Sequence, residues 1–214
     1  MIRRPSTELM EKFSQLTAAT IHESYGRKGS VNPRLKAICF GMKISGPALT
    51  VQCHPGDNLM LHKAIAEAQP GDIIVADCGG IEMGYWGEVM TQCAMARGVG
   101  GLVIDGCVRD GGRLKELGFP VFALGFSIRG TVKETVGTIN QPVVLGGVQV
   151  SPGDMILGDD DGLVVVAQAD LADVINSSFA REEKEARLIA ELKSGQSTTL
   201  ELLGLTKFFE AQSR

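Results

Sequence analysis

The chain has 214 residues, of which 44% are hydrophobic and 21% charged, and its formal net charge is −4. A chain of this size buries roughly 70% of its unfolded surface and folds without staples. Its 21 basic residues are scattered, which argues against a nucleic-acid or anionic-membrane footprint.

Five cysteines, an odd number with no C-x-x-C spacing, argue against a disulfide framework or a zinc knuckle and point to a reducing compartment. The N-terminal stretch has basic residues but lacks the continuous apolar region of a signal peptide. No apolar run reaches the roughly 18 residues of a membrane span. The expectation is a soluble cytoplasmic protein.

In chain order, Leu9, Phe13 and Leu16 recur at helical spacing behind Ser6, a candidate N-cap. Residues 17–29 predict a second short helix, stopped by Gly26 and Gly29. Residues 36–57 are strand-rich and broken at Gly46-Pro47. Residues 58–69 predict a helix that closes on Pro70. A short buried strand over 73–77 leads into a glycine loop (Gly79, Gly80, Gly84), a helix over 88–98 and a second buried strand over 101–106. A short helix over 112–117 and a third strand over 120–124 follow. Strands joined through helices predict parallel pairing.

After Gly125 the texture changes, and residues 142–168 read as short strands with tight turns. A long, densely charged helix runs from Asp170 to about Lys193, and an amphipathic segment (198–211) ends the chain. The expected fold is α/β: one domain over 1–214, of layered β/β/α type. It has a parallel-strand core, a β-rich second layer and a helical C-terminal tail from about residue 170.

Three Pro-Gly-Asp turns recur, at 55–57, 70–72 and 152–154, and turn chemistry accounts for them. Arg109-Asp110 is different because it leaves a buried strand, where open α/β sheets place their ligands. The planar, permanently charged Arg109 suits a carboxylate. Asp110 suits a hard cation such as Mg²⁺, which takes one carboxylate plus waters. Upstream, Gly87-Glu88-Val89-Met90 opens a helix whose first amides are unpaired and can hold an anion. Twenty residues lie between Glu88 and Arg109, one helix plus one strand, which brings both to the same sheet edge.

The same spacing, an acid followed after 20 residues by Arg-Asp within GLVIDGCVRD, resembles the signature of class II pyruvate aldolases of the RraA-like family. These are the 4-hydroxy-4-methyl-2-oxoglutarate and 4-carboxy-4-hydroxy-2-oxoadipate aldolases. FPVFALGFS, PVVLGGVQVSPGD and ILGDDDGLVVV resemble the family's later blocks, so the similarity spans roughly residues 15–205. The resemblance implies a lyase that cleaves 4-hydroxy-2-oxo acids to pyruvate and a second oxo acid, with oxaloacetate decarboxylation as a side activity. It implies that the Gly87–Met90 amides hold the pyruvyl carboxylate, that Arg109 binds the keto oxygen and that Asp110 ligates Mg²⁺ or Mn²⁺. Glu88 stands where the family often has aspartate and would act as base or orient a water. The family also resembles a trimer or hexamer with sites between subunits, which a neighbour's Glu182, Glu183 or Glu185 could complete. Some members instead inhibit ribonuclease E by binding, which is the alternative.

Other chemistry is less well supported. His22, His54 and His62 lack zinc spacing and suit hydrogen-bonding roles. No hydrolase signature is present, and no glycine-rich cofactor fingerprint supports a methyltransferase. Lys43 is the one lysine in a strand-like setting that could form a Schiff base. Asp159-Asp160-Asp161-Gly162 is a turn rather than a calcium loop. Trp86 either walls the pocket or packs in the core.

Overall fold

The computed structural model describes residues 2–210. Helices α1 (Thr7–Gln15) and α2 (Ala18–Ser24) start where the sequence places them, capped by the side chains of Ser6 and Thr17. Strand β1 (Lys36–Ala37) is short, and β2 (Ile44–Gln52) is long and almost wholly buried. Three βαβ units follow: α3 (Leu59–Glu67) to β3 (Ile73–Trp86), α4 (Glu88–Ala96) to β4 (Gly101–Val108), and α5 (Gly111–Leu117) to β5 (Val121–Phe126).

Strands β2, β3, β4 and β5 are parallel and adjacent in that order. Because the order is monotonic and βαβ crossovers favour one hand, the three helices belong on one face. They share one apolar cluster there, with Leu61 and Ile65 of α3, Ala94 of α4 and Leu114 of α5 packed on Ile74, Leu102 and Val121.

The opposite face is covered by strands. β6 (Thr138–Ile139) adds to β2, and β7 (Val143–Leu145) with β8 (Val148–Val150) forms a separate hairpin. β9 (Met155–Asp159) pairs antiparallel with β2, and β10 (Gly162–Val166) pairs with β9. The β-rich layer is therefore hydrogen-bonded to the parallel core through β2. The sheet curls, since Phe122 of β5 packs near Gly158 of β9 although three strands lie between them. Ile73, Val103, Phe122, Ile156 and Val165 fill the space between the layers. α6 (Leu171–Lys193) buries Leu171, Val174 and Ile175 against α1, α2 and the outer face of β9 and β10, and beyond Phe179 its surface is open. Two short helices, α7 (Thr199–Leu202) and α8 (Lys207–Glu210), follow, and Ala211 at the end of the expected amphipathic segment lies outside the described residues.

One expectation is corrected. The glycine stretch after residue 77 is not a loop, because β3 continues through it to Trp86. Ile73 pairs with Gly101, 28 residues on, whereas Trp86 pairs with Val108, 22 residues on, so β3 sheds its extra residues in three register shifts. Gly79 and Gly80, both with left-handed φ near 70°, absorb the first of these. This irregularity puts the ends of β3 and β4 side by side.

Candidate active site

With Trp86 opposite Val108, the next residues of the two strands, Gly87 and Arg109, are neighbours at the carboxyl edge of the sheet. The Arg109 N–H donates to the Trp86 carbonyl at 2.8 Å and ties the Arg109 loop to the start of α4. Asp110 then adopts a left-handed conformation (φ 59°, ψ 35°), uncommon for a residue with a side chain. That turn points its carboxylate back at α4, where Oδ2 accepts the Glu88 N–H at 3.0 Å. Gly87 is required by this close approach, because a Cβ there would collide with Asp110 Oδ2 and press on Arg109 Cγ at 3.1 Å.

The predicted residues thus converge, with two refinements. The Glu88 amide is already taken by Asp110, so the first-turn donors left for an anion are the Val89 and Met90 N–H groups, which have no intrahelical partner. The Glu88 carboxylate turns to Arg113 on α5, whose Nε and Nη2 lie 3.2 and 3.1 Å from Oε1. Oε2 keeps its acceptor capacity.

Two hollows flank Arg109 and Asp110. One is a half-open cavity of about 210 Å³ lined by Asn58, His62, Tyr85, Gly87, Val89, Met90, Arg109, Asp110 and Lys133. It is smaller than the roughly 300–1,000 Å³ of drug-sized sites, which suits a small acid. The other, about 720 Å³, is a shallow groove that adds Gly111, Gly112, Phe126, Ser127 and Ile128. Its rim is apolar, with Phe126 and Ile128 exposed, Ile128 to 97%.

Among the described residues no three His, Cys, Asp or Glu side chains cluster into a metal cage. A cation here would have fewer than three such side chains of this chain to rest on, Asp110 among them. The donor set fits a hard divalent ion that keeps most of its waters: Asp110 spends Oδ2 on an amide, while Oδ1 makes no hydrogen bond to a described residue. Tyr85 is no candidate base. Burial pushes its hydroxyl up to about 12, and its oxygen accepts the Gly56 N–H at 2.7 Å.

Several other candidates lie outside both hollows of this chain. Trp86 is fully buried, stacked on Phe119 at 6.1 Å, and its Nε1 donates to Thr91 Oγ1 at 2.7 Å. It braces the start of α4 from the core and does not wall the pocket. Lys43 is exposed ahead of β2 and lies outside both hollows. The Asp159–Gly162 segment is the β9–β10 turn, with Asp159 accepting the Ala18 N–H at 2.8 Å and Asp160 the Gly41 N–H at 2.7 Å. His22 and His54 each contact a backbone carbonyl at 3.1 Å. Glu183 and Glu185 pair with Arg187 and Arg181 along the outer face of α6. Arg113, Asn58 and Lys133 were not singled out from the sequence, and His62 was read there only as a hydrogen-bonding residue. No local pattern marks them as a set, because Arg113 comes from α5, Asn58 and His62 from the start of α3, and Lys133 from the segment after β5.

Fold and site together define an α/β protein with a fixed guanidinium, an open carboxylate and a helix start at one edge of a parallel sheet. The RraA-like family, described as Aldolase/RraA, matches residues 8–165, and the chain belongs to it. It is 34% identical over 182 residues to a protein of Halalkalibacterium halodurans provisionally named 4-hydroxy-4-methyl-2-oxoglutarate aldolase, covering 84% of this chain and 87% of that one. Among solved structures, an uncharacterised protein from Pseudomonas syringae pv. tomato superposes with TM-score 0.82 at 28% identity, over 94% of this chain and 98% of that one. Streptomyces coelicolor RraAS2, described as an unusual member of the RNase ES inhibitor RraA protein family, superposes with TM-score 0.77 at 30% identity, over 86% and 96% of the two chains. No helix among the described residues is long and apolar enough to cross a membrane.

Proposed function

We propose that this protein is a divalent-metal-dependent lyase that cleaves 4-hydroxy-2-oxo acids of the 4-hydroxy-4-methyl-2-oxoglutarate type to pyruvate and a second oxo acid. The observation that carries this reading is the convergence of Arg109, Asp110 and the first turn of α4 on one cavity. The provisional name of the Halalkalibacterium relative supports it.

In this mechanism the Val89 and Met90 amides, at the positive end of α4, hold the pyruvyl carboxylate. Asp110 would hold Mg²⁺ or Mn²⁺, and the bound ion would supply Lewis-acid polarisation of the α-keto acid. Arg109 lies against the keto oxygen and takes up negative charge as the enolate forms. Arg113 fixes one oxygen of Glu88, and the other orients a water that removes the C4 hydroxyl proton. The C3–C4 electrons pass into the enolate, C4 becomes the carbonyl of the second oxo acid, and protonation at C3 completes pyruvate. Oxaloacetate decarboxylation passes through the same enolate, so the site supports it as a side activity.

Pyruvate release from oxaloacetate, followed with Mg²⁺ and then with EDTA, tests the metal. Formation should stop in EDTA, and unchanged formation would remove the ion from the mechanism. The exposed apolar rim of Phe126 and Ile128 supports a homo-oligomer, trimer or hexamer, in which a second copy covers the groove. Light scattering should give that mass, and a monomer at micromolar concentration would contradict it.

The likeness to RraAS2 raises a second reading, inhibition of a ribonuclease by binding alone. Such a role places no demand on an open carboxylate beside a guanidinium. Pull-down with the nuclease, using an Arg109 variant as control, separates the two.

A further inference from the structure

On the lyase reading, pyruvate leaves only once C3 of the enolate has gained a proton, and the residues around the pyruvyl half are unsuited to supply it. Arg109 is permanently charged, Asp110 is given to the metal, and the Tyr85 hydroxyl is pushed up to about 12. The Val89 and Met90 amides and Arg109 hold C1 and C2 against α4 and the end of β4, which turns C3 toward the opposite wall of the cavity. That wall is made by Asn58 and His62 of the α3 region and by Lys133, which comes from the irregular segment between β5 and β6.

Asn58 is the N-cap of α3 and His62 stands four residues on, so the helix presents both on one face, and both line the cavity. Their chemistry differs. The Asn58 amide is locked, its Nδ2 donating to the Tyr85 carbonyl at 2.8 Å, and it carries no proton that moves at neutral pH. The His62 ring makes no hydrogen bond to a described residue, and it is also exposed, so solvent can renew its proton. Partial burial, reinforced by the Lys133 charge, lowers the imidazole below its ordinary 6.5, which leaves it neutral and able to accept a proton at pH 7. Lys133 keeps its place because its segment is tied down. The Asn58 N–H donates to the Val132 carbonyl at 3.1 Å, and Asp57 Oδ2 accepts the N–H groups of Glu134 at 2.7 Å and Thr135 at 2.6 Å. The other ionisable groups that line the cavity are Tyr85, Arg109 and Asp110, while Lys63, next to His62 on α3, pairs with Glu67.

We infer that His62 is a catalytic residue of the cleavage, the group that carries the proton to C3 of the enolate. This rests on the lyase reading and deepens it by naming the acid–base group that serves the pyruvyl half. The proton that leaves the C4 hydroxyl through the Glu88-held water passes to a free ring nitrogen of His62. The C3–C4 electrons enter the enolate, the second oxo acid departs, and the imidazolium delivers that proton to C3 and becomes neutral again. One proton moves from oxygen to carbon, and none is gained or lost. In reverse, the neutral ring takes a methyl proton from bound pyruvate, leaving its electron pair in the enolate, and returns another after exchange with solvent.

The test follows three reactions with Mg²⁺: exchange of the pyruvate methyl protons in D₂O, cleavage of 4-hydroxy-4-methyl-2-oxoglutarate, and oxaloacetate decarboxylation. Decarboxylation reaches the enolate by losing carbon dioxide, with no base, so it reports a folded site that still binds the pyruvyl half. His62→Ala should slow exchange and cleavage about 100-fold but decarboxylation less than about fivefold, and added imidazole should restore part of the exchange. Exchange should fall as pH drops through the His62 value, and Lys133→Met, which removes a charge that lowers that value, should move the fall to higher pH. Equal loss in all three reactions, no loss of exchange, a loss that imidazole does not relieve, or a fall that stays at the same pH in Lys133→Met would overturn the inference and leave the lyase reading standing. Wild-type protein with neither exchange, cleavage nor decarboxylation would overturn both.

Discussion

Two arginine–aspartate pairs in this molecule use the same chemistry to opposite ends. Arg4 and Asp72 close on each other in a fork, Nε to Oδ1 and Nη2 to Oδ2 both at 2.7 Å, with side chains only 21% and 0% exposed. Asp72 also accepts the Gln69 N–H at 2.9 Å. Arg109 and Asp110 approach no closer than 3.9 Å, with side chains 54% and 42% exposed, although they are adjacent in sequence. The left-handed backbone at Asp110 turns its carboxylate toward α4 and away from the guanidinium. The first pair spends its hydrogen-bonding capacity internally and stabilises the fold. The second keeps part of that capacity for a third party, which is what a binding site requires.

The largest effects should come from breaking the open pair. Arg109→Ala and Asp110→Asn should each lower kcat for pyruvate-forming cleavage about 100- to 1,000-fold, with thermal unfolding little changed. Asparagine tolerates the left-handed conformation and can still accept the Glu88 N–H, so the variant removes chiefly the charge. Near-normal turnover in either would contradict the roles assigned.

The closed pair should respond the other way. Arg4→Ala leaves the Asp72 carboxylate buried without its cation and should cost about 3 kcal/mol in urea unfolding, while kcat of the folded protein stays near wild type. A loss of stability below about 0.5 kcal/mol would place Arg4–Asp72 among ordinary surface pairs.

Asp57 extends the closed class. Burial pushes its carboxyl up, but the hydrogen bonds from Leu59, Glu134 and Thr135 outweigh that and lower it below the ordinary 3.8. A lowered native value means the stabilisation is complete above the unfolded carboxylate value and is lost as pH falls through the native one. Asp57→Asn should therefore cost about 2 kcal/mol at pH 7, and the gap from wild type should shrink as pH falls below 3.8. A gap independent of pH would contradict the clamp.

The smallest effect should be a gain. Asp110→Gly relieves the left-handed strain and should add about 1 kcal/mol of stability while abolishing turnover. Destabilisation would show that the Asp110 side chain, through its bond to Glu88 N, holds the loop more than the strain costs.

The order of helices and strands was legible because apolar runs and glycine or proline stops are local signals. The approach of Glu88 to Arg109 was legible for a related reason: one helix plus one strand has a nearly fixed length, so the spacing carries the geometry. The passage of β3 through Gly79 and Gly80 was not legible, since the same glycines mark both a loop and a bulge, and only pairing with β4 decides between them. Trp86 was ambiguous because the burial that settles it comes from Phe119, 33 positions away. Lys133 was invisible for the strongest reason. Its place depends on Asp57 bonding the Glu134 and Thr135 amides 77 and 78 positions along the chain, and the Pro-Gly-Asp turn that contains Asp57 resembles two others with purely structural aspartates.

The central claim, that Arg109, Asp110 and the start of α4 form one site for a pyruvate enolate, is tested most directly by proton NMR of pyruvate in D₂O. Wild-type protein with Mg²⁺ should exchange the methyl protons, and Asp110→Asn should not. Equal exchange in the two proteins, or none in the wild type, would contradict it.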